Sequence, residues 1–157
     1  MELRDYQRKI ASQGVDIIQK HKILILSMMV RTGKTITALE VARQYGAQKV
    51  LFVTKKKAIR SIESDWAALR PGFSIVVVNY ESLHKIPNKG FDLVIIDEFH
   101  NLSAFPKPSK RTKKTKEYVG DLPVIMLSGT PSPESYSQLF HPLWVSNHSP
   151  WNRYRNF

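Results

Sequence analysis

The sequence predicts an α/β fold in which a mostly parallel central sheet is covered by helices on both faces. Short apolar runs alternate with segments whose apolar residues recur at helical spacing. The runs are continuously apolar, which is typical of strands buried on both faces of a parallel sheet. The predicted strands are residues 23–26, 50–54, 75–78, 93–96 and 124–127. Because such sheets bind ligands at the carboxyl ends of their strands, the residues after each run are the candidates for function.

Helices are predicted at residues 3–20, 34–45, 58–69 and 135–143, with a short helix or turn at 80–83. In the first helix, Asp5 is placed to cap the start and Gly14 weakens the middle. Trp66 lies on the apolar face of the third helix and is expected in the core. Residues 105–116 contain many basic residues and no acid. They are therefore predicted to form a mobile surface loop.

Composition favours a single soluble domain with a polyanionic partner. The 157 residues are 42% hydrophobic and 24% charged, which suits one globular domain with a sizeable core. Lys and Arg number 24 against 13 Asp and Glu, giving a net charge of +11. This charge favours nucleic acid, then an anionic membrane surface, with a merely basic soluble protein as the alternative. The absence of cysteine excludes disulfides and thiolate metal sites.

No apolar run approaches the ~20 residues of a membrane span. The first residues are also too polar for a signal peptide. We therefore expect a cytoplasmic protein without a membrane partner.

The first predicted strand leads into Gly33-Lys34-Thr35 and then into a helix. This geometry suits a nucleoside triphosphate, because a helix N-terminus presents unpaired N–H groups and a partial positive charge. Gly33 allows close approach, Lys34 reaches the β- and γ-phosphates, and Thr35 holds Mg2+ through its hydroxyl. Met28 stands where the common pattern has glycine, so an ordinary helix start is the alternative. The predicted ATP-binding residues here are Arg31, Thr32, Gly33, Lys34 and Thr35.

Asp97 and Glu98 directly follow the fourth predicted strand. An aspartate at the end of a strand beside the phosphate-loop strand can hold Mg2+ together with Thr35. The neighbouring glutamate can orient and deprotonate the attacking water, while Lys34 meets charge on the transferred phosphoryl group. The alternative is that the pair only caps the next turn. We expect Lys34, Asp97 and Glu98 to be catalytic, with Thr35 and Asp97 as the metal ligands.

Taken in order, these motifs resemble those of superfamily 2 helicases and translocases, especially the Swi/Snf-like branch. The resemblance covers about residues 3–145 and implies a RecA-like P-loop NTPase domain that uses ATP and Mg2+. The matching segments are 3–7 (Q-motif), 50–55 with Trp66 (motif Ia), 79–83 (Ser/Thr-Tyr-Glu motif), 97–100 (DEAH-type box) and 128–131 (Ser-Ala/Gly-Thr motif).

The resemblance also implies roles for single residues. Gln7 would contact the adenine edge, with Arg4 nearby; a solvated helix residue is the alternative for Gln7. The implied coupling residues, which link hydrolysis to movement, are His100, Ser128 and Thr130. The implied nucleic-acid contacts are Thr54, Lys55, Tyr80 and Ser82.

We expect residues 1–145 to form the first RecA-like domain. Residues 146–157, an aromatic and basic tail, would lead to a second RecA-like domain whose motifs this chain lacks. The implied function is an ATP-hydrolysing motor domain of a DNA helicase or translocase, with double-stranded DNA as the favoured track and a bacterial or phage source. Alone, the domain should turn over ATP poorly, because arginines supplied in trans are missing.

Two other classes remain open. One is a nucleic-acid binding module with a vestigial ATP site. The other is a small nucleotide kinase, against which the motifs at residues 97–100 and 128–131 argue.

Overall fold

The computed structural model describes residues 3–26, 31–97 and 110–127, together with Ser146 and His148. The helices in these ranges are α1 (Asp5–His21), α2 (Arg31–Tyr45), α3 (Ile59–Leu69) and α4 (Lys110–Val119). The strands are β1 (Ile23–Leu26), β2 (Lys49–Thr54), β3 (Ser74–Asn79), β4 (Leu93–Asp97) and β5 (Val124–Leu127). Short 3-10 helices follow β2 and β3, at Lys56–Ala58 and Tyr80–Lys85.

The five strands form one sheet in the order β1-β5-β4-β2-β3, and every neighbouring pair is parallel. The predicted parallel sheet is therefore confirmed. The strand that ends in Asp97 was expected beside the phosphate-loop strand, and this expectation is wrong, since β5 lies between β4 and β1. Because all strands run in one direction, their carboxyl ends still share one edge of the sheet.

Helices cover both faces of the sheet, as predicted. Alternate residues of one strand enter opposite cores: Val50 and Phe52 belong to one cluster, and Leu51 and Val53 to the other. The first cluster lies against α1, α2 and α3. The second lies against α4 and the 3-10 helix after β3. This double burial explains why the strand sequences are continuously apolar.

The segment predicted as a mobile loop is helical over Lys110–Val119, so that prediction is wrong for these residues. One face of α4 is buried through Thr112, Thr115, Tyr118 and Val119, at spacings of three, six and seven residues. Two of these are threonines, so the apolar stripe is weak in the sequence. The Tyr118 hydroxyl lies within hydrogen-bonding reach of the carbonyl oxygens of Leu83 and Ile86, which attaches α4 to the neighbouring 3-10 helix.

Helix α1 packs closely on α2 and β1 at Gly14. A Cβ atom on this glycine would lie 2.9 Å from Leu24 Cδ2 and 3.1 Å from Val41 Cγ2. The first distance is one that real Cβ atoms essentially never show and the second is tighter than most, so the two side chains would have to shift. The glycine that weakens the helical pattern is thus the residue that allows three elements to meet. The helix predicted at 135–143 lies outside the described residues.

Replacing Gly14 with valine should destabilise the domain by about 1–3 kcal/mol, because the added methyl groups overpack the contact with Leu24 and Val41. The gain in helix propensity over glycine offsets only part of this loss. Urea denaturation of Gly14→Val, compared with Gln13→Val at an exposed site on the same helix, measures the effect. A Gly14→Val protein as stable as its parent would contradict the packing account.

Candidate functional site

The Gly-Lys-Thr stretch lies in the first turns of α2. Residues 27–30 connect the end of β1 to this helix. Helix α2 begins at Arg31, three residues earlier than the sequence predicted. Lys34 and Thr35 are 4% and 6% exposed, and the Thr37 hydroxyl donates to the Gly33 carbonyl at 2.6 Å. The backbone N–H groups of a first helical turn have no intrahelical acceptors. The chain therefore brings these groups to the carboxyl edge of the sheet.

Asp97 is held at the same edge by two hydroxyl groups from other elements. The Thr54 hydroxyl donates to Asp97 Oδ2 at 2.9 Å, and the Tyr80 hydroxyl donates to the Asp97 backbone carbonyl at 2.9 Å. Thr54 is fully buried and Tyr80 is 6% exposed, so both donor residues are buried, while Asp97 is half-buried. The side chain and the backbone of Asp97 are thus fixed separately, which sets where its carboxylate points.

This arrangement changes the interpretation of Thr54. The sequence predicted that Thr54 grips a nucleic-acid backbone. Its side chain is instead buried and bonded to Asp97, so it is not available at the described surface. The role that the geometry supports for Thr54 is orientation of the Asp97 carboxylate.

The carboxyl ends of β2 and β3 and the start of α4 enclose a cavity of about 710 Å³, which we call the basic groove. Three of the four predicted nucleic-acid contacts, Lys55, Tyr80 and Ser82, lie together in it. Among the described residues that line it, four are cationic and one is a carboxylate. The lining residues are Lys55, Lys56, Lys57, Asn79, Tyr80, Glu81, Ser82 and Arg111.

Arg111 was missed by the sequence analysis, which placed it in a loop. Its guanidinium lies 5.0 Å from the centre of the Tyr80 ring, and its Nη2 lies 2.6 Å from Glu81 Oε1. The signal that could have found it is the spacing of Thr112, Thr115 and Val119, which predicts a helix with Arg111 near its start.

Glu81 accepts hydrogen bonds on both of its carboxylate oxygens. Asn79 Nδ2 donates to Oε2 at 2.9 Å, while Arg111 occupies Oε1. The pKa of Glu81 is held below its ordinary value of 4.5. The hydrogen bond from Asn79 is the largest cause, followed by the backbone N–H of Glu81. Arg111 lowers the pKa further, while burial opposes the shift. Glu81 is therefore a negative charge within the basic groove at neutral pH.

Gln7 fixes the start of α1. Its Oε1 accepts a hydrogen bond from the Arg4 backbone N–H at 2.9 Å, and the side chain is only 7% exposed. Gln7 is therefore not a solvated helix residue. Asp5 occupies the first helical position and Arg4 is the N-cap, so the cap predicted at Asp5 is wrong. No described residue accepts a hydrogen bond from the Gln7 amide nitrogen.

Several predicted site residues lie outside the described residues, and their roles stay predictions. These are Glu98, His100, Ser128 and Thr130, together with the side chains of Arg31 and Thr32. Of the predicted tail, Ser146 forms a parallel bridge with Gly120, and the His148 ring nitrogen lies 2.7 Å from the Asp121 carbonyl. No described helix is long and apolar enough to cross a membrane.

Two parts of the chain are similar in sequence to known proteins. Residues 1–63 match the family model described as Type III restriction enzyme, res subunit. An 85-residue stretch is 31% identical to a putative helicase, 109L, of Invertebrate iridescent virus 3. That stretch is 54% of this chain and 26% of the viral protein.

The crystal structure of the UvsW helicase from bacteriophage T4 has a similar fold, with a TM-score of 0.61 at 16% sequence identity. The match covers 90% of this chain and 58% of UvsW. The chain has the fold of a helicase RecA-like domain. The predicted α/β fold class is thereby confirmed. The chain spans about a quarter of the viral relative and just over half of UvsW.

Replacing Tyr80 with phenylalanine should cost about 1 kcal/mol of the free energy of unfolding, because it removes a part-buried hydrogen bond to the Asp97 carbonyl. Thr54→Val should act on the same aspartate, so the two losses should not be additive. Urea denaturation of the parent, both single variants and the double variant gives the four free energies of unfolding that a double-mutant cycle needs. Tyr6→Phe, at a tyrosine that is 44% exposed, is the control. Strict additivity would show that the two hydroxyls act independently on Asp97.

Proposed function

We propose that this chain is an ATP-binding motor domain of a helicase or translocase, and that the whole protein couples ATP hydrolysis to movement along nucleic acid. One observation carries the proposal: Gly33, Lys34 and Thr35 lie in the first turns of the helix after β1, and Asp97 ends β4 at the same edge of a parallel sheet. This pairing of a basic helix start with a strand-end carboxylate is what phosphoryl transfer needs. The matches to helicases support the same conclusion.

The available side chains fit Mg2+ as well as ATP. Mg2+ prefers hard oxygen ligands and keeps several waters, so one hydroxyl and one carboxylate from the protein are sufficient. Thr35 would supply the hydroxyl and Asp97 the carboxylate. The bond from Thr54 to Asp97 Oδ2 supports this role, because it holds the carboxylate in one orientation. When bound, Mg2+ neutralises charge on the phosphate oxygens.

The remaining steps are assigned to residues of this chain by their chemistry. Lys34 would hold the β- and γ-phosphates, and its near-complete burial strengthens the electrostatic contact. Glu98 would orient and deprotonate the attacking water. Arg4 and Gln7 would contact the adenine, and the buried Gln7 amide supports this role because its nitrogen is not bound by a described acceptor. Arg31 and Thr32 would complete the phosphate contacts, and His100, Ser128 and Thr130 would couple hydrolysis to movement.

The basic groove is the proposed track for nucleic acid. Its lysines and Arg111 supply positive charge beside the same edge of the sheet that carries Asp97. Cationic side chains along a groove are the usual means of contacting phosphodiesters. Lys55, Tyr80 and Ser82 are the proposed contacts, with double-stranded DNA as the favoured substrate.

Two finer assignments follow from the resemblance alone. They are membership of the Swi/Snf-like branch and the presence of a second RecA-like domain, which would supply arginines in trans. A nucleic-acid binding module with a vestigial ATP site is the competing function, and the basic groove is compatible with it because no residue that lines it belongs to the phosphate loop.

Titration of the chain with Mg-ATP tests the proposed ATP site. Replacing Lys34 with alanine should weaken binding by at least about tenfold, because one or more hydrogen bonds from a charged donor to phosphate are lost. Lys20→Ala, an exposed lysine on α1, is the matched control and should bind like the parent. Circular dichroism checks that both variants are folded. If the parent fails to bind Mg-ATP but still binds DNA, the vestigial-site function replaces the proposal.

A further inference from the structure

Glu81 is the single carboxylate among the described residues that line the basic groove. Its side chain is 64% exposed, and its partner Arg111 is 36% exposed. Ion pairs at such exposure contribute little to stability. The pair is therefore not needed to hold the fold, although Glu81 occupies the Arg111 guanidinium and the Asn79 amide, two hydrogen-bond donors of the groove. The effect of the Glu81–Arg111 pair on a bound ligand is therefore of more interest than its effect on stability.

The Glu81 carboxylate lies where an oxyanion ligand would bind. Its two oxygens are held by two different donors, the Arg111 guanidinium at 2.6 Å and the Asn79 amide at 2.9 Å. A phosphodiester likewise presents two terminal oxygens on one centre, and guanidinium groups bind phosphate and carboxylate in the same geometry. The donors that now hold Glu81 are thus equally suited to a backbone phosphate.

The Tyr80 ring keeps Arg111 in place for such an exchange. The guanidinium lies 5.0 Å from the ring centre, so part of its position is fixed without Glu81. Tyr80 is itself fixed by its hydroxyl bond to Asp97. Release of Glu81 would therefore leave a prepositioned cation rather than a disordered side chain.

We propose that Asn79 and Arg111 form a phosphate-binding position of the nucleic-acid track, and that Glu81 is its built-in competitor. A phosphodiester displaces the Glu81 carboxylate and takes its two donors, so Glu81 lowers affinity for nucleic acid. This inference rests on the proposed function and deepens it by naming one contact of the track. Glu81 thereby also selects for polyanions that bring several phosphates at once, since only these compensate for the displacement.

Binding of a short fluorescein-labelled DNA duplex, measured by anisotropy at several salt concentrations, tests the proposal. Glu81→Gln should bind about two- to fivefold more tightly, the fold-change expected when an exposed ion pair no longer competes. Glu63→Gln makes the same change in net charge on α3, outside the groove, and should bind nearly like the parent. Equal gains in the two variants would reduce the effect to general charge and overturn the proposal.

The cation is tested separately. Arg111→Gln should weaken binding and lower the slope of log affinity against log salt by about 0.9, the value for one phosphate contact on duplex DNA. Lys113→Gln, an exposed residue on the same helix that does not line the groove, should leave the slope unchanged. In the Arg111→Gln background, Glu81→Gln should give a smaller gain than in the parent, because Glu81 then competes only for the Asn79 amide. A gain as large as in the parent would overturn the assignment to Arg111.

The outcomes distinguish this inference from the proposed function. A parent chain that binds DNA while Glu81→Gln and Glu63→Gln behave alike refutes the competitor and leaves the track intact. Absence of DNA binding by both the parent and Glu81→Gln refutes both. Inorganic phosphate is the second probe: a gain for free phosphate without a gain for duplex would assign the position to a small anion and overturn the proposal. Circular dichroism of each exposed-site variant confirms that it is folded.

Discussion

The common direction of the five strands is the constraint on which every candidate site depends. Parallel pairing brings the carboxyl ends of β1, β2, β3 and β4 to one edge, although these strands are far apart in the chain. The helices on both faces make this possible, because parallel strands need crossover connections and a double layer of burial. The functional edge is therefore a product of the hydrophobic cores rather than of local motifs.

At that edge, hydroxyl groups do the positioning. Thr54 and Tyr80 come from different strand ends, yet both bond to Asp97. A carboxylate at a strand end is otherwise free to rotate, and a misplaced ligand atom loses the geometry that catalysis requires. Burial of both donors makes the bonds costly to break, because a buried polar group left unpaired loses its solvation without compensation. Among the described residues, these two bonds therefore orient Asp97 without any contribution from a ligand.

Much of this was predictable from the sequence, and the failures have identifiable physical causes. The five strands follow from local pattern, because burial on both faces leaves an uninterrupted apolar run. The helix that contains Gly33–Thr35 was also predicted, although α2 begins three residues earlier, at Arg31. The order along the sheet does not follow, since crossovers let β5 insert between β1 and β4. Helix α4 was not predicted, because threonines occupy two of its buried positions and weaken the apolar pattern. The hydrogen bond from Thr54 to Asp97 joins residues that are 43 positions apart in the sequence. Local sequence spacing therefore does not predict it.

Tyr80 belongs to both candidate sites, which determines how variants at this edge should be interpreted. Its ring packs against Arg111 in the basic groove, while its hydroxyl bonds to Asp97. A change that removes the Tyr80 ring therefore alters the groove and the carboxylate together, whereas Tyr80→Phe removes only the bond to Asp97. In the described contacts, Arg111 and Glu81 belong to the basic groove and not to the surroundings of Asp97. Variants at these two residues therefore report on the groove alone. Since coupling between two sites is reciprocal, a tyrosine shared in this way is where ligands of the two proposed sites would influence each other.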